Sequence, residues 1–372
     1  MKRTLTLAAV GAVALSMSAC GGSDSSDAAK SDAKDDSVKA VATTTQICDY
    51  VTQLADGGDD LTFVKTDSQG KETTTGSGKT KLELTCLLAP NASAHEHEMT
   101  PQQMKALGDA DLFLVSGVDL EHFLANAVDS SGFKGTMVVS SGTLTSGEKP
   151  KDTKFKIDEG VEKVKLNDWP FPPENPGDAP EFVKDPHIWT DPSRAAIQVK
   201  NIGHALGEAA PSEKEVFKKH AESYEKKLKA LDKWAEDSFN TVDPEHRTLF
   251  TSHDAFGYLS ERYGIKFIGS ALSDFSGQQD ATAEHINKAV EQVKESGANA
   301  LFAENSNNSK SIEAIARAAG VKAVIGDDAL YGDSLGPEGT DGETYIKATI
   351  HNITNLVEAW GGTVQPLPEE LK

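Results

Sequence analysis

RTLFTSHDAFGYLSERYGIKFIGS (247–270) reads as strand, turn, helix and strand in immediate succession. RTLFTS (247–252) and IKFIGS (265–270) are short and mostly free of charge, the composition of strands buried on both faces. DAFGYLSERYG (254–264) carries apolar residues at helical spacing and ends on Gly264, where a left-handed cap is expected. Two strands joined through a helix pair in parallel, so this stretch predicts an α/β layer. His253 stands where the first strand gives way to the helix.

The pattern recurs on both sides of a centre. Candidate strands are VKAVAT (38–43), LELTCLL (82–88), DLFLVS (111–116) and TMVVSS (136–141), then NALFAE (299–304) and KAVIG (322–326). Candidate helices are PQQMKALGDA (101–110), DLEHFLANAV (119–128), AEHINKAVEQVKESG (283–297) and SKSIEAIARAAG (309–320), with Gly297 and Gly320 as further caps. The centre, from about Ser212 to Asn240, repeats Phe217, Tyr224, Leu228, Leu231 and Trp234 at helical spacing. Ser212 and Glu215 suggest a capping box, and a helix of nearly 30 residues would span roughly 45 Å. The predicted organisation is a 38–211 α/β domain, a rigid linking helix over 212–241 and a 242–372 α/β domain, both with mainly parallel sheets flanked by helices.

The N-terminus reads as a targeting signal. Lys2 and Arg3 precede an apolar run, Leu5 to Met17, too short for a stable span, and Ser18-Ala19 lead into Cys20. Residues 1–19 therefore resemble a bacterial lipoprotein signal peptide with Cys20 as the lipidated residue. Residues 20–37 hold no large apolar side chain until the end and read as a flexible tether. The polar run TDSQGKETTTGSGKT (66–80) reads as a surface loop or hairpin tip. Once Cys20 is assigned, Cys48 and Cys86 remain, in an exported chain most simply a disulfide. Two buried thiols are the alternative; metal ligation is disfavoured without CxxC spacing. The net charge of −21 over 372 residues excludes phosphate-backbone binding, so no nucleic-acid partner is expected.

The chemistry lies in four dispersed residues. His95 (NASAHEHEMTP), His187 (KDPHIWTDPSRA), His253 and Asp333 (LYGDSLGPEGTDGETY) sit on four separate segments, two in each half. Imidazole and carboxylate are the ligands first-row metals prefer, and zinc favours four in a tetrahedron. Ligands in parallel sheets bind beyond the carboxyl ends of the strands, so the natural site is the cleft between domains. His97 is a possible extra ligand, and Glu304 could hydrogen-bond a ligating imidazole. His122, His204, His220, His246, His285 and His351 read as packing or surface residues; Asp185 and Asp191 read as turn and cap residues.

These segments resemble the solute-binding lipoproteins of zinc and manganese ABC transporters over about residues 38–370. HEHEMTPQQMKALGDADLFLVSGVDLE is similar to that family's H-x-Y-E-P-T-P segment and the strand after it, although His97 and Met99 replace its Tyr and Pro. DPHIWTDP matches the D-P-H-x-W-x-D-P box, TSHDAFGYLSERYG the third ligand segment and GDSLGPEGTDGETYIKATIHNI the terminal one. The resemblance places His95, His187, His253 and Asp333 on the metal-ligand positions. It implies Zn2+ as the transported ligand, because manganese members carry an acid where His253 stands. It further implies a monomeric receptor, not an enzyme, lipid-anchored to the outer face of the cytoplasmic membrane and delivering its ion to an ABC permease. A manganese receptor, or an adhesin or metallochaperone of the same fold, is the alternative. A zinc hydrolase is disfavoured: no HExxH occurs, and four ligands leave no open position.

Overall fold

Short apolar segments in the first half align side by side as one sheet. The order there is β1 (Ser37–Ala42), α1 (Thr45–Ala55), β2 (Leu61–Thr66), β3 (Glu72–Gly76), β4 (Thr80–Cys86), α2 (Pro101–Gly108) and β5 (Leu112–Val115). There follow α3 (Leu124–Ser131), β6 (Thr136–Val139), β7 (Lys156–Asp158), α4 (Pro192–Ala209) and α5 (Lys214–Phe239). The second half contributes β8 (Thr248–Thr251), α6 (Gly257–Tyr263), β9 (Lys266–Ser270) and α7 (Ala283–Ser296). It ends with β10 (Ala300–Phe302), α8 (Lys310–Ala319), β11 (Lys322–Val324) and α9 (Tyr345–Ala359). This computed structural model describes residues 37–56, 61–148, 150–169, 180, 182–272 and 283–372. The expected signal peptide and nearly all of the tether lie outside the described residues; Ser37, assigned to the tether, already pairs in β1.

The first sheet has seven strands in the order β3-β2-β4-β1-β5-β6-β7. Every pair is parallel except β2 with β3. Ala40 lies between Leu84 of β4 and Leu112 of β5, all three buried, as a strand covered on both faces requires. In the second half β8 pairs in parallel with β9, β10 with β11, and β8 adjoins β10. The molecule is thus a two-domain α/β fold with mainly parallel sheets. Gly264, Gly297 and Gly320 all take positive φ, as the helix-ending pattern requires.

Helix α5 buries Phe217, Ala221, Tyr224, Leu228, Leu231, Trp234 and Phe239 along one stripe and leaves its lysines and glutamates outside. That stripe enters a continuous core holding Ala42 and Leu84 from the first sheet and Leu249 and Phe302 from the second half. Its 26 residues span about 39 Å. The expected capping box does not form. Pro211–Glu213 make a 3-10 turn, and α5 starts at Lys214 without a side-chain cap. Ser212 and Glu213 are drawn instead to Thr80, whose hydroxyl lies 3.2 Å from Ser212 Oγ and donates to Glu213 at 2.9 Å.

Three further differences have local causes. The polar run at 66–80 holds β3, an exposed edge strand whose consecutive threonines suit extended backbone paired with β2. Helix α3 starts five residues later than its pattern suggests, because the buried Glu121 carboxylate accepts the Ser116 and Gly117 N–H groups (2.6 and 3.1 Å) and the Thr43 hydroxyl (2.7 Å). That holds 116–121 as a turn, with Val118 and Asp119 at positive φ. Helix α1 carries no alternating polar face, since most of its residues are buried, and α9 buries one stripe that includes the polar Thr349 and Asn352.

Cys48 of α1 and Cys86 of β4 are disulfide-bonded, their Cα atoms 5.7 Å apart. The bridge pins α1 against the sheet that carries the His95 loop. Replacing both cysteines by alanine should lower the unfolding free energy by about 2–4 kcal/mol, read from urea denaturation. Equal stability of the oxidised protein and the variant would show that the bridge constrains nothing.

Candidate metal centre

Each candidate ligand occupies a turn that nearby polar groups hold. His95 lies in the loop after β4, where Ser93 Oγ accepts its backbone N–H at 3.3 Å. His187 heads a 3-10 turn, Ile188–Thr190, whose Thr190 hydroxyl donates to the His187 carbonyl at 2.9 Å. Asp191 ends that turn by capping α4, accepting the Ser193 N–H at 2.8 Å ahead of Pro192 in the first helical turn. His253 follows β8, and the Thr251 hydroxyl donates to its carbonyl at 2.6 Å. This tight turn delays α6 to Gly257, three residues beyond the expected start.

Asp333 lies on a loop laced to the opposite half. Trp189 Nε1 donates to the Gly332 carbonyl at 3.0 Å, and the Leu335 N–H donates to Thr45 Oγ1 at 2.8 Å. Asn305 Nδ2 donates to the Ser334 carbonyl at 2.9 Å and to Asn91 Oδ1 at the same distance. The aspartate next to these anchors therefore has little freedom to swing.

Among the described residues, one group of four potential ligands converges: His95, His187, His253 and Asp333, whose ligand atoms all lie within 4.8 Å of one another. All four are buried. His95 and His187 face each other through Nε2 at 3.2 Å. Asp333 lies 3.1 Å from His253 Nε2, 3.7 Å from His187 Nε2 and 3.5 Å from His95 Nε2. Ser93 Oγ donates to Asp333 Oδ2 at 3.1 Å.

The far sides of two imidazoles meet carboxylates. Glu304 Oε1 accepts the His253 backbone N–H at 2.8 Å, and Oε2 lies 2.7 Å from His253 Nδ1. Asp185 Oδ1 accepts the His187 backbone N–H at 3.0 Å and faces Nδ1 at 2.8 Å. Glu304 thus sits behind the His253 imidazole. Asp185 does more than make a turn. The D-P-H spacing carries that signal, since an acid two residues before a histidine can reach both its N–H and its ring.

Protonation follows this layout. Burial drives the His95 imidazole down to about 3, against the pull of Asp333, so it is neutral at physiological pH. Burial also opposes charge on His253, but Asp333 and Glu304 together outweigh it and hold this imidazole well above its ordinary range. Burial alone would raise Asp333; the three surrounding imidazoles reverse that and keep it ionised.

His97 stays outside the converging group, partly buried with its ring 5.3 Å from Phe123. The His122 ring lies 6.1 Å from that of His95 and is exposed. His220, His285 and His351 each place a ring nitrogen against a backbone carbonyl, of Leu54, Ser270 and Ala329 respectively.

Residues 40–359 match the ZnuA family, described as zinc-uptake complex component A, periplasmic. The chain belongs to this family. All four converging residues fall inside the matched span. Family membership makes the chain a metal-binding solute receptor of an ABC transporter, a class that is not enzymatic. Relatives include the manganese ABC transporter substrate-binding lipoprotein PsaA of Streptococcus anginosus, 26% identical over 304 residues, 82% of this chain and 90% of PsaA. The manganese-binding lipoprotein MntA of Halalkalibacterium halodurans is 28% identical over 263 residues, 71% of this chain and 76% of MntA. In structure the chain is similar to the periplasmic zinc binding protein TroA from Treponema pallidum, with a TM-score of 0.65 and 24% identity, covering 86% of this chain and 98% of TroA. At that identity the likeness concerns the fold. Among the described residues, no helix is long and apolar enough to cross a membrane.

Gly332 has a steric reason to be glycine: a Cβ there would lie 2.2 Å from Glu304 Oε2. Gly332→Ala must displace either Glu304 or the Asp333 loop. It should weaken metal binding by about tenfold, the effect expected when an orienting partner is lost, while circular dichroism stays that of the parent. Unchanged affinity in a competition titration would contradict this packing.

Proposed function

We propose that this chain captures Zn2+ between His95, His187, His253 and Asp333 and hands it to an ABC permease. The observation that carries this reading is the convergence of four buried ligand atoms, contributed by both halves of the fold, within 4.8 Å. Three imidazoles and one carboxylate form a donor set suited to zinc over the harder manganese ion. Four protein ligands fill a tetrahedron and leave no position for an activated water, which suits capture and release. Anchoring through Cys20 to the outer face of the cytoplasmic membrane accords with relatives named lipoproteins.

A manganese receptor is the second reading, favoured by the names of those relatives. Competition titration with both ions decides between them. The parent should bind one zinc per chain, and His187→Ala and Asp333→Ala should each weaken it by at least about a hundredfold, roughly 2.7 kcal/mol. Tighter binding of manganese than of zinc would establish the second reading. Binding indifferent to both substitutions would move the site elsewhere.

Metal uptake should also release a proton. Asp333 and Glu304 hold the His253 imidazole well above its ordinary range in the metal-free protein, which favours a proton there. An ion bound through Nε2 must expel it, whereas neutral His95 has none to lose. Calorimetry at pH 7 in buffers of different ionisation enthalpy should give about one proton per zinc ion. Apparent affinity should rise with pH until His253 no longer holds its proton. Zero release at pH 7 would contradict this charge arrangement.

A further inference from the structure

Two carboxylates behind the centre are built alike, and the likeness points beyond packing. Asp185 and Glu304 are both buried, and each holds the backbone N–H and the Nδ1 side of one histidine. Each is itself fixed. The Asp185 carbonyl accepts the Tyr258 hydroxyl at 2.8 Å, and the Glu304 N–H donates to Ser252 Oγ at 3.1 Å. Each also presses on a glycine beside another part of the centre. A Cβ on Gly257 would lie 2.3 Å from Asp185 Oδ2, just as one on Gly332 would meet Glu304. Thus Asp185, in the first half, packs against the turn after His253, and Glu304 packs against the residue preceding Asp333.

An ionised carboxylate only accepts hydrogen bonds, so an imidazole facing one through Nδ1 carries its hydrogen there. Once the second proton of His253 has left, Nε2 of each ring offers its lone pair to an ion, and both Nε2 atoms point toward Asp333. The same contact makes the imidazole a stronger donor to an ion. A softer ion that relies on nitrogen gains more from this than one that prefers oxygen. We propose that Asp185 and Glu304 are positioning residues that set the preference of this centre for zinc over manganese, by presenting the Nε2 atoms of His187 and His253. The proposal rests on the receptor reading above and deepens it.

The two clamps differ in a way that makes a test possible. At Glu304 one oxygen accepts the backbone N–H, and the other lies 2.7 Å from Nδ1. Glutamine in its place keeps the bond to the backbone and turns an amide N–H toward Nδ1. The ring hydrogen must then move to Nε2, where the ion belongs. At Asp185 one oxygen serves both donors. Asparagine there keeps both hydrogen bonds and removes only the charge.

Zinc and manganese affinities, measured by competition titration on the full mature chain, separate these effects. Glu304→Gln should weaken zinc by about 10–100-fold and manganese by less than about threefold. Glu304→Ala, which leaves Nδ1 to water, should bind zinc more tightly than Glu304→Gln although it is the less stable protein by thermal melting. A merely structural role would give the opposite order. Asp185→Asn, which preserves shape and hydrogen bonds, should lower the zinc-to-manganese ratio by about three- to tenfold. An unchanged ratio in both amide variants, or alanine worse than glutamine for zinc, overturns the proposal. A parent protein that binds neither ion would instead sink the receptor reading, and this proposal with it.

Discussion

The centre is organised around one buried negative charge. Asp333 is removed from water and ringed by three imidazoles, two of them backed by further carboxylates. An isolated buried carboxylate would take up a proton. Here the positive character of His253 keeps Asp333 ionised, and Asp333 with Glu304 keeps His253 protonated. His253 and Asp333 thus hold opposite charges 3.1 Å apart before any ion arrives. A divalent cation takes the place of the His253 proton beside Asp333.

Such a site needs a frame that does not collapse around it. Helix α5 supplies part of it, because its apolar stripe joins both halves in one core. The Asp333 loop supplies the rest through its bonds to Thr45, Asn305 and Trp189. Tyr345, in the first turn of α9, adds a further tie across the halves: its hydroxyl donates to the Trp189 carbonyl at 2.6 Å, and its N–H to Asp49 at 2.9 Å. Burial pushes the Asp49 carboxyl up, while the Tyr345 N–H and Gln53 partly offset that. The ligands are held by polar contacts between segments remote in sequence, which are specific in direction where apolar packing is not.

Where periodicity was strong, the elements were legible. Strands β1, β4, β5, β6 and β8 to β11 come from short apolar runs, of which β5, β8 and β10 are buried throughout, and α5, α7 and α8 are amphipathic. Strand β3 escaped because a polar edge strand owes its form to backbone pairing with β2. Helix α1 escaped because an element buried nearly all round shows no polar face to set the period, and α9 because Thr349 and Asn352 interrupt its apolar stripe. The capping box at Ser212 failed because Pro211–Glu213 form a 3-10 turn, and Thr80, far away in sequence, holds Ser212 and Glu213.

The sequence by itself determined the residue chemistry: three histidines and an aspartate at segment ends, a cysteine pair, and the alternation of strand and helix that places loops at one edge of a parallel sheet. These depend on local pattern and on the donor atoms each side chain carries. Tertiary structure alone decided which of the ten histidines converge, that His97 stands aside, and that Asp185 and Glu304 each grip one imidazole. Those outcomes depend on distances between segments separated by up to 240 positions, such as Ser93 and Asp333. No local signal reports such distances, because packing of the two halves around α5 sets them.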